Sequence, residues 1–310
     1  MMRRSWVAGL VVVLGAAACG TSTTKSGHGP SVAVRQPYQL VAATAAATSQ
    51  AKTARMAMTI GVTSPQLPHA VTLDMNGVQA FDGSRAEFTM NLGSLLPQAA
   101  TNAEVQVRLV DGTMYMDMAP FVSALSKSLG MNVGSLLGNV KWLKLDTGQL
   151  GAGSGTPAEY TGDLDYLRAA SKGGVTAVGT DTVRGVSTTH YRAMLDPAKI
   201  VAADKQRLAR LAPALRAVTQ KGIDAIAKLH TPLVANVWID GHDMVRRFAM
   251  DVPSLSVATG TTTVNESVSV SMEFYDFGTP VNVQAPPPSE VRDFSALTGG
   301  LGSSLSQSTS

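Results

Sequence analysis

Residues 104–118 read EVQVRLVDGTMYMDM. Val105, Val107 and Leu109 alternate with Glu104, Gln106 and Arg108, so one face of this run is apolar and the other polar. Beyond Asp111-Gly112 the alternation resumes, with Met114, Met116 and Met118 set against Thr113, Tyr115 and Asp117. A period of two on both sides of an Asp-Gly pair is the pattern of a half-buried antiparallel hairpin.

The same period extends outward in both directions. On the N-terminal side Met56, Met58, Ile60 and Val62 alternate with Arg55, Ala57, Thr59 and Gly61. Val71, Leu73 and Met75 then alternate with Thr72, Asp74 and Asn76, and Phe88, Met90 and Leu92 with Glu87, Thr89 and Asn91. On the C-terminal side KWLKL at 141–145 reads as a further strand. Strands are also expected at 175–183 and 186–195 around Arg184-Gly185, and at 232–240 and 243–252 around Gly241-His242. A last one spans 264–275, where Val268, Val270, Met272 and Phe274 oppose Ser267, Ser269, Ser271 and Glu273. Helices are expected at 39–54, 119–138, 163–172 and 197–229, the last broken near Pro213. Residues 147–162 are rich in Gly and Thr and read as a loop.

The expected fold is therefore mainly β, of the α+β kind, with about eleven antiparallel strands. A sheet of that size tends to curl or close. Each strand has one apolar face that needs a cover, and the 119–138 and 197–229 helices are the candidates. Space left under them would form an apolar pocket. The inward candidates are Met58, Ile60, Leu73, Met75, Phe88, Met90, Val107, Leu109, Met114 and Met116, with Leu125 and Leu129 from the covering helix. Twelve of the 14 methionines follow the first two residues, and most sit on strand faces. Methionine is flexible and polarizable, which suits a wall that accepts variable apolar ligands as well as a packed core.

The N-terminus explains the single cysteine of this 310-residue chain. MMRRSW is a short positive region, and VAGLVVVLGAAA at 7–18 is apolar. As a helix it spans about 18 Å, too little for a bilayer core of about 30 Å. It reads as a signal peptide over residues 1–18. Ala16, Ala17 and Ala18 precede Cys19-Gly20, the pattern of a bacterial lipobox in which the cysteine thiolate takes the lipid and becomes the first mature residue. Arg3-Arg4 without the rest of a twin-arginine motif favours the general export route. Residues 19–37 are polar and end in proline, a lipidated tether reaching about 25 Å. The domain proper is expected at 38–294, and 295–310 as a disordered tail. This places the protein at the cell membrane, lipid-anchored on the extracytoplasmic side.

Composition removes other classes. The formal charge of +3 falls to +1 once Arg3 and Arg4 leave with the signal. A near-neutral body with 5% aromatic residues lacks the electrostatic footprint and stacking platforms of nucleic-acid binding. His28, His69, His190, His230 and His242 are scattered, with no metal-ligand spacing. Gly151-Ala152-Gly153-Ser154-Gly155 matches neither a phosphate loop nor a nucleophile elbow. Ser49-Gln50-Ala51-Lys52 has serine–lysine spacing but no companion motifs. No enzyme activity, cofactor or metal is expected.

Three stretches add a resemblance. They are GVSTTHYR at 185–192 running to Leu195-Asp196, VWID at 237–240 with MVRR at 244–247, and FGTPVNV at 277–283 before Ala285-Pro286. In this order behind a lipobox they resemble the LppX/LprG-type lipoproteins of mycobacteria and related actinobacteria, a family similar in architecture to the LolA/LolB carriers. The resemblance implies a curved antiparallel half-barrel with helices on the concave face, an apolar cavity for acylated lipids or glycolipids, and no catalytic residues. The expected function is a membrane-anchored lipoprotein that binds such lipids and carries them across the cell envelope. It leaves room for a membrane transporter as partner. Two other readings stand beside it: an envelope adaptor or sensor module with a filled core and a protein partner, and a hydrolase of envelope lipids, which needs a serine or aspartate with an oriented base in the cleft.

Overall fold

In the computed structural model, residues 36–95, 103–129, 140–146, 164–208, 220, 222–259 and 262–293 are described. The expected signal peptide, Cys19, most of the expected tether, the expected 147–162 loop and the expected 295–310 tail lie outside them. In chain order the strands are β1 (Thr53–Thr63), β2 (Val71–Ala80), β3 (Arg85–Asn91), β4 (Glu104–Val110), β5 (Thr113–Asp117) and β6 (Trp142–Asp146). They continue as β7 (Ala170–Val183), β8 (Val186–Leu195), β9 (Leu233–Asp240), β10 (Val245–Thr259), β11 (Thr262–Tyr275) and β12 (Val291–Asp293). All twelve form one sheet in the order β12-β6-β5-β4-β3-β2-β1-β11-β10-β9-β8-β7. The sheet is curved and unclosed, with β12 and β7 as its edges. Apart from β12, strands consecutive in sequence lie side by side and antiparallel within each half, and β1 joins the halves by pairing with β11.

Local chemistry sets the hairpins. Asp111 and Gly112 have φ of 48° and 80°, and Arg184 and Gly185 have 47° and 80°. Two positive φ values in a row twist the chain to match the flanking strands. Gly77 in β2 faces Phe88 across the pair, and a Cβ there would collide with the Glu87 carbonyl and the Phe88 ring.

Some boundaries differ from expectation. The β10 strand runs past Pro253, where alternation stops, because a register shift between Val252 and Leu255 absorbs the residue that cannot donate to the ladder. The expected 163–172 helix is a 3-10 turn at Leu164–Ala169, and β7 begins directly after it. The twelfth strand was invisible to periodicity because it has three residues and pairs in parallel with β6. It is delivered by a proline-rich strap that follows β11, whose Phe277 packs against the main core. There Val283 is buried and its carbonyl accepts from the Arg85 guanidinium at 3.0 Å.

The covering elements are also rearranged. Helix α1 (Pro37–Gln50) starts with proline in its first turn, and the Gln39 side chain accepts from the Gln36 N–H at 3.1 Å. It ends before Lys52, which has φ 66°, so β1 begins earlier than expected. Val41 and Ala45 of α1 enter the main core, and Thr48 Oγ1 accepts from the Val245 N–H at 2.9 Å. Helix α1 packs on the 3-10 turn, β7, β8 and β10, a covering role not assigned to it from sequence. Helix α2 (Ala119–Leu129) packs on β4, and α3 (Pro197–Leu208) packs on the 3-10 turn. Residues 222–227 are helical as expected, whereas 130–139 and the Pro213 region lie outside the described residues.

Candidate functional site

Strand register assembles the predicted inward residues into rows across the sheet. One row runs Val237, Phe248, Met272, Met58, Met75, Met90 and Val105 from β9 to β4. Another runs Phe274, Met56, Gly77, Phe88, Val107, Met116 and Leu143 from β11 to β6. Ile60 stands between Val270 and Leu73, and Leu109 pairs with Met114. Ten of the predicted residues thus share one face. Met58, Met75, Phe88 and Leu109 are in the main core, with Ile60 and Met90 half-buried against it. Val107 and Met114 join Val105 in a smaller cluster, against which Met90, Met116, Leu92, Met118 and Leu145 pack. Leu73 is half-buried. Leu125 and Leu129 fall on α2, but their side chains lie outside the described set.

Burial along this face is graded. At one end Met56, Phe88, Phe248 and Phe274 have at most 1% of their surface exposed. Toward the other end of the same strands Ile60, Val62, Leu73, Met90, Leu92, Met250, Val252, Val268 and Val270 are only half-buried. Val71, Val105 and Val264 are exceptions there and are buried. One end of the apolar face is sealed by its own side chains, and the other leaves apolar surface within reach of solvent. The β10 and β11 contributors, Met250, Val252, Val268 and Val270, were not assigned to this surface from sequence. Their alternation is legible, but the pairing of β1 with a strand some 200 residues later is not.

A buried polar group marks the sealed end. The Asp240 carboxylate accepts from the N–H groups of His242 at 2.8 Å and Met244 at 3.1 Å, and from Arg246 Nε at 2.7 Å. Burial pushes its pKa up, but Arg246 and the two amides outweigh this and hold it below the usual carboxylate range. The Arg246 guanidinium in turn lies 4.6 Å from the Phe277 ring centre.

The opposite face is polar. Trp238 donates to Asp181 at 2.9 Å, stacks on His190 at 4.3 Å between centroids, and carries Arg247 at 5.2 Å. Glu273 accepts from both Arg247 and Arg184 at 2.6 Å. Burial raises the Glu273 pKa, and the two arginines more than offset it, so the group lies below its ordinary value. A depression of about 470 Å³ on this face is lined by Val178, His190, Arg192, Val234, Asn236 and Asp251. It contains none of the predicted lining residues.

Among the described residues, three side chains weighed from the sequence have structural partners. His69 lies 3.3 Å from the Ser94 carbonyl, and His190 lies 3.0 Å from Asn236 Oδ1. Ser49 donates to the Ala45 carbonyl at 2.9 Å within α1. Among the described residues no three His, Cys, Asp or Glu side chains gather as a metal site requires, and no helix is long and apolar enough to cross a membrane.

No protein-family model matches the chain. An uncharacterized 31.2 kDa protein of Streptomyces griseus, from the rplA-rplJ intergenic region, is 24% identical over 220 residues, or 66% of this chain. This chain spans 62% of that relative's length. Among solved structures, the lipoprotein LppX of Mycobacterium tuberculosis is similar at 13% identity and a TM-score of 0.42, over 79% of this chain and 98% of that one. LprF from Mycobacterium bovis is similar at 14% identity and a TM-score of 0.42, over 81% and 96% of the two chains. A LolA superfamily protein from Nitrosomonas europaea is similar at 7% identity and a TM-score of 0.31, over 82% and 99%.

Proposed function

We propose that this protein is a membrane-anchored lipoprotein that binds acylated lipids or glycolipids on the graded apolar face and carries them across the cell envelope. The observation that carries the reading is the half-buried end of that face. Ile60, Leu73, Met90, Met250 and Val270 present contiguous apolar surface bordering a fully buried core. An acyl chain laid there gains about 0.8 kcal/mol for each methylene removed from water. The methionines adapt to chains of different shape. Polar head groups stay in water at the rim. The lipobox at Cys19 supplies the membrane attachment, and residues 20–37 the reach.

Native mass spectrometry of protein extracted from its own membranes tests the reading. The expected spectrum contains a complex with an acylated lipid bound besides the anchor, and Cys19→Ala abolishes palmitate labelling. A spectrum with lipid-free protein alone contradicts it. The fully packed phenylalanines of the sealed end favour the second reading, an adaptor with a filled core. That reading predicts the lipid-free spectrum.

A further inference from the structure

The hairpin turns at the two ends of the sheet differ in charge. At the sealed end, the turns between β2 and β3, β4 and β5, β7 and β8, and β9 and β10 carry Asp82, Asp111, Arg184 and Asp243 in that order. At the half-buried end, three hairpins carry no Asp, Glu, Lys or Arg at all. These are β1–β2, with residues 56–73 uncharged, β3–β4, with 88–103 uncharged, and β10–β11, with 252–265 uncharged. The six strands are consecutive in the sheet order β4-β3-β2-β1-β11-β10, so the three neutral turns follow one another along one rim. The longer connections at 118–141 and 196–232, which do carry charge, come on either side of them.

The tip of this rim is apolar. Residues 65–70 between β1 and β2 are exposed throughout, and Leu67 shows 37% of its surface. It stands just beyond the paired Val62 and Val71, at the mouth of the half-buried face. Turns that face water carry charge at no cost, as the four at the sealed end do. At a bilayer interface a charge is unfavourable, whereas a neutral turn with an apolar side chain is stabilised.

The N-terminal chain says which surface the rim meets. Helix α1 finishes at the sealed end, where Thr48 accepts from the Val245 N–H, and extends back about 21 Å from there. It packs on the 3-10 turn, whose Ala169 carbonyl accepts from the Asp196 N–H at 3.1 Å beyond the half-buried end of β8. The chain therefore enters the domain on the half-buried side, at Pro37. From Cys19, residues 20–36 reach about 25 Å, which keeps the neutral rim close to the bilayer.

We infer that this neutral rim, with Leu67 at its tip, seats on the bilayer that holds the anchor, so that acyl chains pass between the membrane and the half-buried face without crossing water. The inference rests on the anchored lipid-binding reading and adds an orientation to it, with the mouth toward the membrane and the sealed end away.

The full lipidated chain in vesicles of phosphatidylethanolamine and phosphatidylglycerol tests it. A nitrobenzoxadiazole probe is attached at Gln66→Cys on the rim, or at Gly241→Cys at the sealed end, where an added Cβ meets nothing within 4 Å. Lipidation of Cys19 leaves no other thiol in the chain. Doxyl-labelled lipid in the vesicles is expected to quench the probe at 66 about five-fold more than the probe at 241, and Leu67→Asp to remove most of that difference. Flotation with the vesicles is read in the same samples. Protein that floats but is quenched equally at 66 and 241 is anchored without docking. That result overturns the inference, leaves the anchored reading standing, and gives the rim to a protein partner or a second copy. Protein that does not float contradicts the anchor itself, and the inference with it. A rim signal that Leu67→Asp leaves unchanged also overturns the inference.

Discussion

The two ends of the apolar face are built from the same strands and the same residue types, yet they differ in what covers them. At the sealed end, Phe248, Phe274 and Met56 meet α1 and the 3-10 turn in one buried cluster. At the other end, Ile60, Leu73, Met90 and Val270 are of similar hydrophobicity and remain half-buried. A strand's alternation encodes which face is apolar. It does not encode how far along that face a cover extends. The first end is where stability resides, and the second is where we place the ligand.

The comparison is broken most forcefully at the sealed end. Phe274→Ala removes a fully buried ring beside Phe248 and Met56, and is expected to cost about 3–5 kcal/mol in urea unfolding. A loss under about 1 kcal/mol would mean the end is not packed as described. Asp240→Ala strands the Arg246 guanidinium, whose side chain is 15% exposed, and is expected to cost about 3 kcal/mol. The Arg246→Met partner variant and the double variant, in a double-mutant cycle, separate the ion pair from the two backbone amides.

At the half-buried end the balance reverses. Ile60→Ala or Leu73→Ala is expected to cost only about 1 kcal/mol of stability. Each is nevertheless expected to weaken acyl-ligand binding several-fold in a fluorescent fatty-acid titration. Equal stability losses at Ile60 and Phe274, with binding untouched, would erase the distinction between the ends. The smallest effect lies on the polar face. Glu273 has a lowered pKa, so its contribution to stability is complete above the unfolded-state pKa of about 4 and is lost as pH falls through the folded value. Melting temperature should therefore drop more steeply below about pH 4 in the native chain than in Glu273→Gln. Identical acid limbs would show that Arg184 and Arg247 do not hold the carboxylate in solution.

Much of this arrangement is legible in the chain. Alternation in 104–118 and its neighbours locates eleven of the twelve strands, and Asp111-Gly112 and Arg184-Gly185 mark their turns. Ten predicted inward residues share one face because a period of two leaves no other choice once one strand is oriented. What stayed hidden is non-local. The β1–β11 pairing that brings Val270 beside Ile60 depends on closure of a long segment, not on local pattern. The covering role of α1 was hidden because its Ala- and Thr-rich sequence has no strong apolar stripe, although Val41 and Ala45 are buried. The strap and β12 escaped because Pro286 to Pro288 has no period at all.

The central claim is that ligand lies along the half-buried end and not the sealed one or the polar face. Photolabelling with a diazirine-bearing fatty acid, followed by peptide mapping, tests it directly. Adducts concentrated at Ile60, Leu73, Met90 and Val270, with few at Met56 and Phe274, are the predicted result. Adducts spread equally onto the polar-face residues Thr59, Thr72 and Ser271, or no saturable labelling at all, would contradict it.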